Sequence, residues 1–167
     1  MSAPAGLRGG SESAARRLGR GLVALQCLLI AGLLAQAASG WVTASALQGG
    51  AAVGLGLAGL ALMAAAVGAQ GLGNFRIHPE PQAGGRLVCG GPYRWVRHPM
   101  YSAVMLCGGA ATLVAASPLL AIGLLVLLAG VLHGKAAMEE AWMGRVHPGY
   151  ADYARGRGRF LPRRAAR

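Results

Sequence analysis

Acidic residues are scarce in this sequence: 167 residues carry five Asp and Glu against 16 Lys and Arg, for a net charge of +11. Charge of either sign is missing altogether from positions 21–75 and 99–134. Only 13% of residues are charged, against about 25% in an ordinary soluble domain. A soluble helix needs polar residues along its outward face, so two long runs without a single charge exclude an ordinary soluble fold. The three cysteines, Cys27, Cys89 and Cys107, have no CxxC or Cys/His spacing, which excludes the usual zinc and disulfide frameworks. No recognition motif accompanies the basic residues, so nucleic acid is not the partner they point to. The positive-inside bias and attraction to anionic headgroups account for them. Gly54-Leu55-Gly56-Leu57-Ala58-Gly59 matches a dinucleotide fingerprint, but no strand precedes it and no acidic residue follows at the required distance. These glycines, with Gly50-xxx-Gly54, read instead as points of close helix approach.

What is present is apolar and long. A membrane-crossing helix needs about 20 apolar residues for about 30 Å of hydrocarbon. The first run holds two such spans, Gly21–Ser39 and Ala51–Gln70, joined by Gly40–Gly50 with Trp41, Thr43, Ser45 and Gln48. The second run has room for a hairpin broken at Ser117-Pro118, with spans at about 100–116 and 118–134, because proline starts a helix and disfavours one just before it. The fold class expected is all-α, a polytopic membrane protein of about four transmembrane helices. Its segments are a disordered basic stretch at 1–20, helices one and two at 21–70, a loop at 71–98, a hairpin at 99–134, and an acidic helix with a basic tail at 135–167. All basic residues then share one side, which the positive-inside rule makes cytoplasmic, together with both termini. Segment 21–39 is read as a span rather than a cleaved signal, since its apolar core is long and a second span follows at once. The Ala, Gly, Leu and Arg bias is that of GC-rich prokaryotic coding and points to a prokaryotic inner membrane.

Three polar clusters lie on the cytoplasmic side: Asn74–Pro81, the run Gly91-Pro92-Tyr93-Arg94-Trp95-Val96-Arg97-His98-Pro99-Met100-Tyr101, and Glu139-Glu140 with the tail after it. Folding the hairpin about Ser117-Pro118 sets His98 opposite position 137 and Arg97 opposite 138. At 1.5 Å per residue that level is about 29 Å from the apex, one hydrocarbon thickness. Arg97-His98 and Glu139-Glu140 should therefore face each other at the cytoplasmic rim. Such a site offers an anion-binding end beside a cation-binding end, which suits an amino-acid zwitterion bearing an extra positive centre. The plainer reading is a snorkelling belt with a surface ion pair worth under about 1 kcal/mol.

GPYRWVRHPMYS, then Glu139-Glu140, then Gly149-x-x-x-Tyr153 and a closing Arg159-Phe160-Leu161-Pro162, resembles the isoprenylcysteine carboxyl methyltransferase and phospholipid methyltransferase superfamily over about residues 74–162. The resemblance implies an integral membrane methyltransferase that uses S-adenosylmethionine, with the cofactor in a cytoplasmic pocket closed by the tail. By carry-over, Tyr93, Arg97, His98, Tyr101, Glu139 and Glu140 are the cofactor-binding residues, with Arg94 at the entry, and Glu140 and Arg97 are the candidate catalytic residues. No metal is implied, since a sulfonium methyl is already activated. The acceptor implied is lipid-like: a carboxylate needs no base, whereas a phospholipid or other amine must lose a proton, which Glu140 could take. A non-catalytic cofactor- or lipid-binding protein on the same scaffold is the reading from another class. The sequence departs from the family at Ala141-Trp142-Met143 and at His147-Pro148-Gly149, which would shorten the helix after Glu140 and alter the tail.

Overall fold

The computed structural model describes residues 5–71 and 87–163, with side chains from Arg17 onward. The Asn74–Pro81 cluster, including His78, lies outside the described residues. The architecture is all-α. Five helices follow in order: α1 Ala5–Gly40, α2 Ala46–Gln70, α3 Pro99–Leu113, α4 Pro118–Val146 and α5 Tyr150–Arg155, with short 3-10 turns at Trp41–Thr43 and Gly91–Arg94. α1, α2 and α4 are long and apolar enough to cross a membrane; α3 is apolar but shorter.

Local chemistry sets these boundaries. α2 opens on a capping box: the Ser45 hydroxyl accepts from the Gln48 amide, and the Gln48 side chain accepts from the Ser45 amide. α1 is described from Ala5, so position 20 is not a helix boundary; the Ala, Leu, Arg and Glu of this stretch are strong helix formers. α3 begins at Pro99 as expected but ends at Leu113 rather than 116. The Ala116 and Ser117 amides leave the helix to donate to the backbone and side-chain oxygens of Gln36 on α1, at 3.0 Å each. Pro118 forces Ser117 into an extended conformation and starts α4. No break falls at 134: Lys135 to Met143 contains neither glycine nor proline, and the helix carries Glu139 and Glu140 on to Val146, where His147 before Pro148 stops it. The departures at 141–143 therefore do not shorten the helix at Glu140.

α3 is the central helix, with α2 along one flank and α1 and α4 packed together on the other. Leu29 and Leu33 of α1 meet Leu128 and Leu132 of α4 in the core, with Ala111 of α3 beside them. Leucines such as Leu28, Leu57, Leu119 and Leu127 point outward. Lipid is as apolar as leucine, so association rests on close packing of small residues. At Gly59 an added Cβ would come within 2.6 Å of Cys107 Sγ and 3.0 Å of the Ala103 carbonyl, and Gly56 looks onto Ala110. Gly50 and Gly54 face open space. The expectation that they mediate close approach is thus corrected: helical phase gives that role to Gly56 and Gly59.

Candidate functional site

The chain enters α3 through a tight 3-10 turn that uses Pro92 and ends at Trp95. That turn buries Tyr93 and Val96 and leaves Trp95 half exposed, with the Arg94 guanidinium stacked 4.3 Å from its ring centre. Arg97 and His98 follow just before the first turn of α3, and Tyr101 lies on that turn. Glu139 and Glu140 reach the same level from the charged end of α4.

The two sets meet. His98 Nε2 lies 3.0 Å from Glu140 and its Nδ1 3.4 Å from Glu139; Arg97 Nη1 lies 3.4 Å from Glu140. The Tyr101 hydroxyl donates to Glu139, and its ring stacks parallel to the His98 ring at 5.4 Å. Glu140 is 12% exposed and Glu139 28%, so Glu140 is the clamped carboxylate and Glu139 the more open one. Among the described residues, Arg97 Nε is buried and has no hydrogen-bond partner, which leaves one strong donor of the cluster without an acceptor there. Burial pushes the His98 pKa down, but the hydrogen bonds and charges of Glu139 and Glu140 outweigh it and raise the pKa above its ordinary value. Tyr93 is pushed up to about 12, first by burial, with Glu139 adding to it and a hydrogen bond to Gln70 opposing.

The tail completes the site, and here the structure adds residues to those expected. The Arg97 amide donates to the Gly158 carbonyl at 2.9 Å and the His98 amide to the Arg159 carbonyl at 3.0 Å, around a parallel bridge between Val96 and Gly158. The Ser102 hydroxyl donates to the Phe160 carbonyl at 2.6 Å, and the Tyr153 hydroxyl to the Tyr93 carbonyl at 2.9 Å. Arg159 grips both oxygens of Glu140, through Nε at 3.0 Å and Nη2 at 2.7 Å, a bidentate geometry that an arginine fork favours. Its remaining Nη1 donates to His133 Nε2 on α4 at 2.7 Å. At Gly158 any side chain would overlap the Leu161 carbonyl, so the tail can turn here only on glycine.

Beside this cluster, Lys135 is buried on α4, 6% exposed. Its ammonium donates to Gln26 of α1 at 2.7 Å and sits 5.3 Å from the Tyr101 ring centre. Every residue expected at the site thus lies at one level, and Arg159, Ser102, Tyr153, His133, Lys135 and Gln26 join them. Ser102, Tyr153 and Arg159 stand in the motifs that carry the resemblance, and two more have a signal of another kind. His133 and Gln26 are polar residues inside otherwise apolar spans, where polar groups are expensive and mark function by default.

The family model described as phospholipid methyltransferase matches residues 49–148, from the start of α2 to just past α4. That range takes in Tyr93, Arg97, His98, Tyr101, Glu139 and Glu140 and leaves out the whole of α1 and the Arg159 tail. No curated protein and no solved structure matches the chain.

Proposed function

Since the chain belongs to the phospholipid methyltransferase family and is a membrane methyltransferase, we propose that it moves the methyl group of S-adenosylmethionine to the carboxylate of a lipid-like acceptor, in the manner of the isoprenylcysteine carboxyl methyltransferases. The observation that carries this reading is the convergence of Arg97, His98, Tyr101, Glu139 and Glu140 at one end of the α3–α4 hairpin.

The donor set fits the cofactor. The Arg97 Nε donor, unpartnered among the described residues, suits its carboxylate, and the more open Glu139 suits its ammonium. The Tyr93 and Tyr101 rings suit a sulfonium, through the negative faces of their π-systems. When bound, the cofactor supplies an activated methyl on a positive sulfur. The residues of the chain orient it, exclude water and fix the acceptor in line, since a misplacement of about 1 Å can cost about 10²-fold in rate. Glu140 has both oxygens engaged by cations, so its role is to hold Arg97, His98 and Arg159 in register.

Lys135 supports the carboxylate over the amine. A buried ammonium beside Tyr101, one turn from Glu139, attracts an anionic head group and repels a cationic one. Facing Glu139 and Glu140 across the rim, the acceptor's reactive atom would sit at head-group depth on the cytoplasmic side, with both termini on that side and the apolar chain passing laterally between helices. The test is methylation of acceptors that share one carboxylate head group and differ in tail length, alongside an amine-headed acceptor with the long tail. The long-chain carboxylate should have much the highest kcat/KM, because each buried CH₂ is worth about 0.8 kcal/mol. Equal rates for long and truncated members would reject a lipid acceptor. A faster amine would move the assignment to N-methylation.

A further inference from the structure

Arg159 ties the tail to the site, and His133 decides how Arg159 is held. An arginine guanidinium can only donate hydrogen bonds. The 2.7 Å contact from Arg159 Nη1 therefore requires a lone pair on His133 Nε2, so this imidazole must be unprotonated there. Its bond occupies one end of the guanidinium fork, while Nε and Nη2 meet the two oxygens of Glu140. His133 and Glu140 are seven residues apart on α4, two turns along one helix face. Together they fix the plane of the guanidinium from two points. The Phe160 ring, next in the tail, lies against the same histidine at 6.0 Å and against His98 at 6.1 Å.

We propose that His133 is a positioning residue that latches the tail only while its imidazole is neutral, so that acid opens the site. Protonated, His133 would present an N–H to another N–H and a positive charge to a positive charge at hydrogen-bond distance. The bond would be lost and the guanidinium pushed off its seat on Glu140. Residues 158–160 would then keep only the bonds to Arg97, His98 and Ser102. The groups facing His133 are known from each neighbouring element. The tail brings Arg159 and Phe160. α3 brings His98, joined through Phe160 and Glu140. α1 brings no charged contact to α4 among the described residues, its one polar contact being Gln26 on Lys135. His98 responds in the opposite sense, since protonation strengthens its bonds to Glu139 and Glu140. His98 bonds Glu140 directly and His133 reaches it only through Arg159, so the two histidines oppose each other, and only His133 bonds the Arg159 side chain.

The regulatory meaning rests on the site being the cofactor pocket, but the latch is measurable without cofactor. A nitroxide spin label at Arg163→Cys, in full-length protein with Cys27, Cys89 and Cys107 changed to serine, reports tail mobility in nanodiscs. The mobile fraction should rise several-fold when the sample is taken from about pH 8 to about pH 5. His133→Gln keeps a side-chain acceptor but cannot protonate, so its tail should stay immobile throughout. His133→Ala should be mobile at both ends. A pH-dependent release that persists in His133→Gln, or a His133→Ala tail as immobile as the parent's, would overturn the latch. Cofactor titration of the same samples separates the two claims: absent binding with an intact latch refutes the pocket alone, and normal binding with no latch refutes the inference alone.

Discussion

His98 carries the most consequential single protonation at the rim. Unprotonated, it can donate to only one of Glu139 and Glu140; protonated, it can donate to both, 3.4 and 3.0 Å away. Its folded pKa is raised above the ordinary 6.5. A raised value means the folded state binds the proton more tightly than the unfolded chain. The contribution of His98 to stability is therefore fully present below its ordinary value and is lost as pH rises through the raised one. Comparing thermal unfolding of the parent with His98→Asn across pH should show the largest gap on the acid side, closing as pH rises through the raised value. A gap that instead grows with pH would mean His98 is held neutral. Removing a carboxylate is different in kind: Glu140→Ala would leave Arg97 and Arg159 partly buried without their counter-ion, and stranding a buried charge costs about 3–5 kcal/mol where burial is complete. Arg97 and Arg159 retain some exposure, 19% and 25%, so the cost falls below that range.

Between elements, the α2–α3 contact is closely packed. Gly59 lies against Cys107 and the Ala103 carbonyl with no room for a methyl group. Gly59→Ala should lower stability in detergent by about 1–3 kcal/mol, the usual cost of overpacking. Gly54→Ala, with open space at its Cβ, should be neutral or stabilising by up to about 1 kcal/mol through helix propensity. Thermal unfolding of the pair checks this, and equal losses at both positions would refute the packing assignment. The same two glycines show where sequence reasoning stops. Both fit a small-residue pattern, and only the rotational phase of α2, which a uniformly apolar helix does not encode, tells them apart. The hairpin was legible because Pro118 marks its apex and charge marks its ends, so counting residues from the apex brought Arg97-His98 level with Glu139-Glu140. The tail was not. Its bonds to residues 97 and 98 are made by backbone atoms, which leave no periodicity, and the Arg159 grip on Glu140 crosses a turn at Gly158 that has no spacing rule. Lys135 on Gln26 was hidden because it joins α4 to α1 across 109 residues.

At the scale of the whole molecule, charge is sorted to one end. The turns at Trp41–Ser45 and at Ser117-Pro118 carry none, while residues 135–163 hold basic side chains throughout. The positive-inside rule predicts a cytoplasmic basic end, so single cysteines at Gly49 and Ser117 should react with a membrane-impermeant maleimide from outside intact cells, and cysteines at Arg145 and Arg163 only after permeabilisation. Labelling of Arg163→Cys from outside would invert the topology. It would also remove the cytosolic cofactor supply on which the proposed chemistry depends.

The central claim is that the rim cluster binds S-adenosylmethionine, and calorimetric titration of the purified protein in detergent measures this most directly. The parent should bind, and His98→Ala and Glu140→Ala should each weaken binding at least tenfold, equivalent to about 1.4 kcal/mol. His147→Ala, at the helix stop of α4 and making no side-chain bond to the cluster among the described residues, should bind within a factor of about two of the parent, well inside 1 kcal/mol. No binding to the parent, or equal weakening at all three positions, would contradict the assignment of this cluster as the cofactor site.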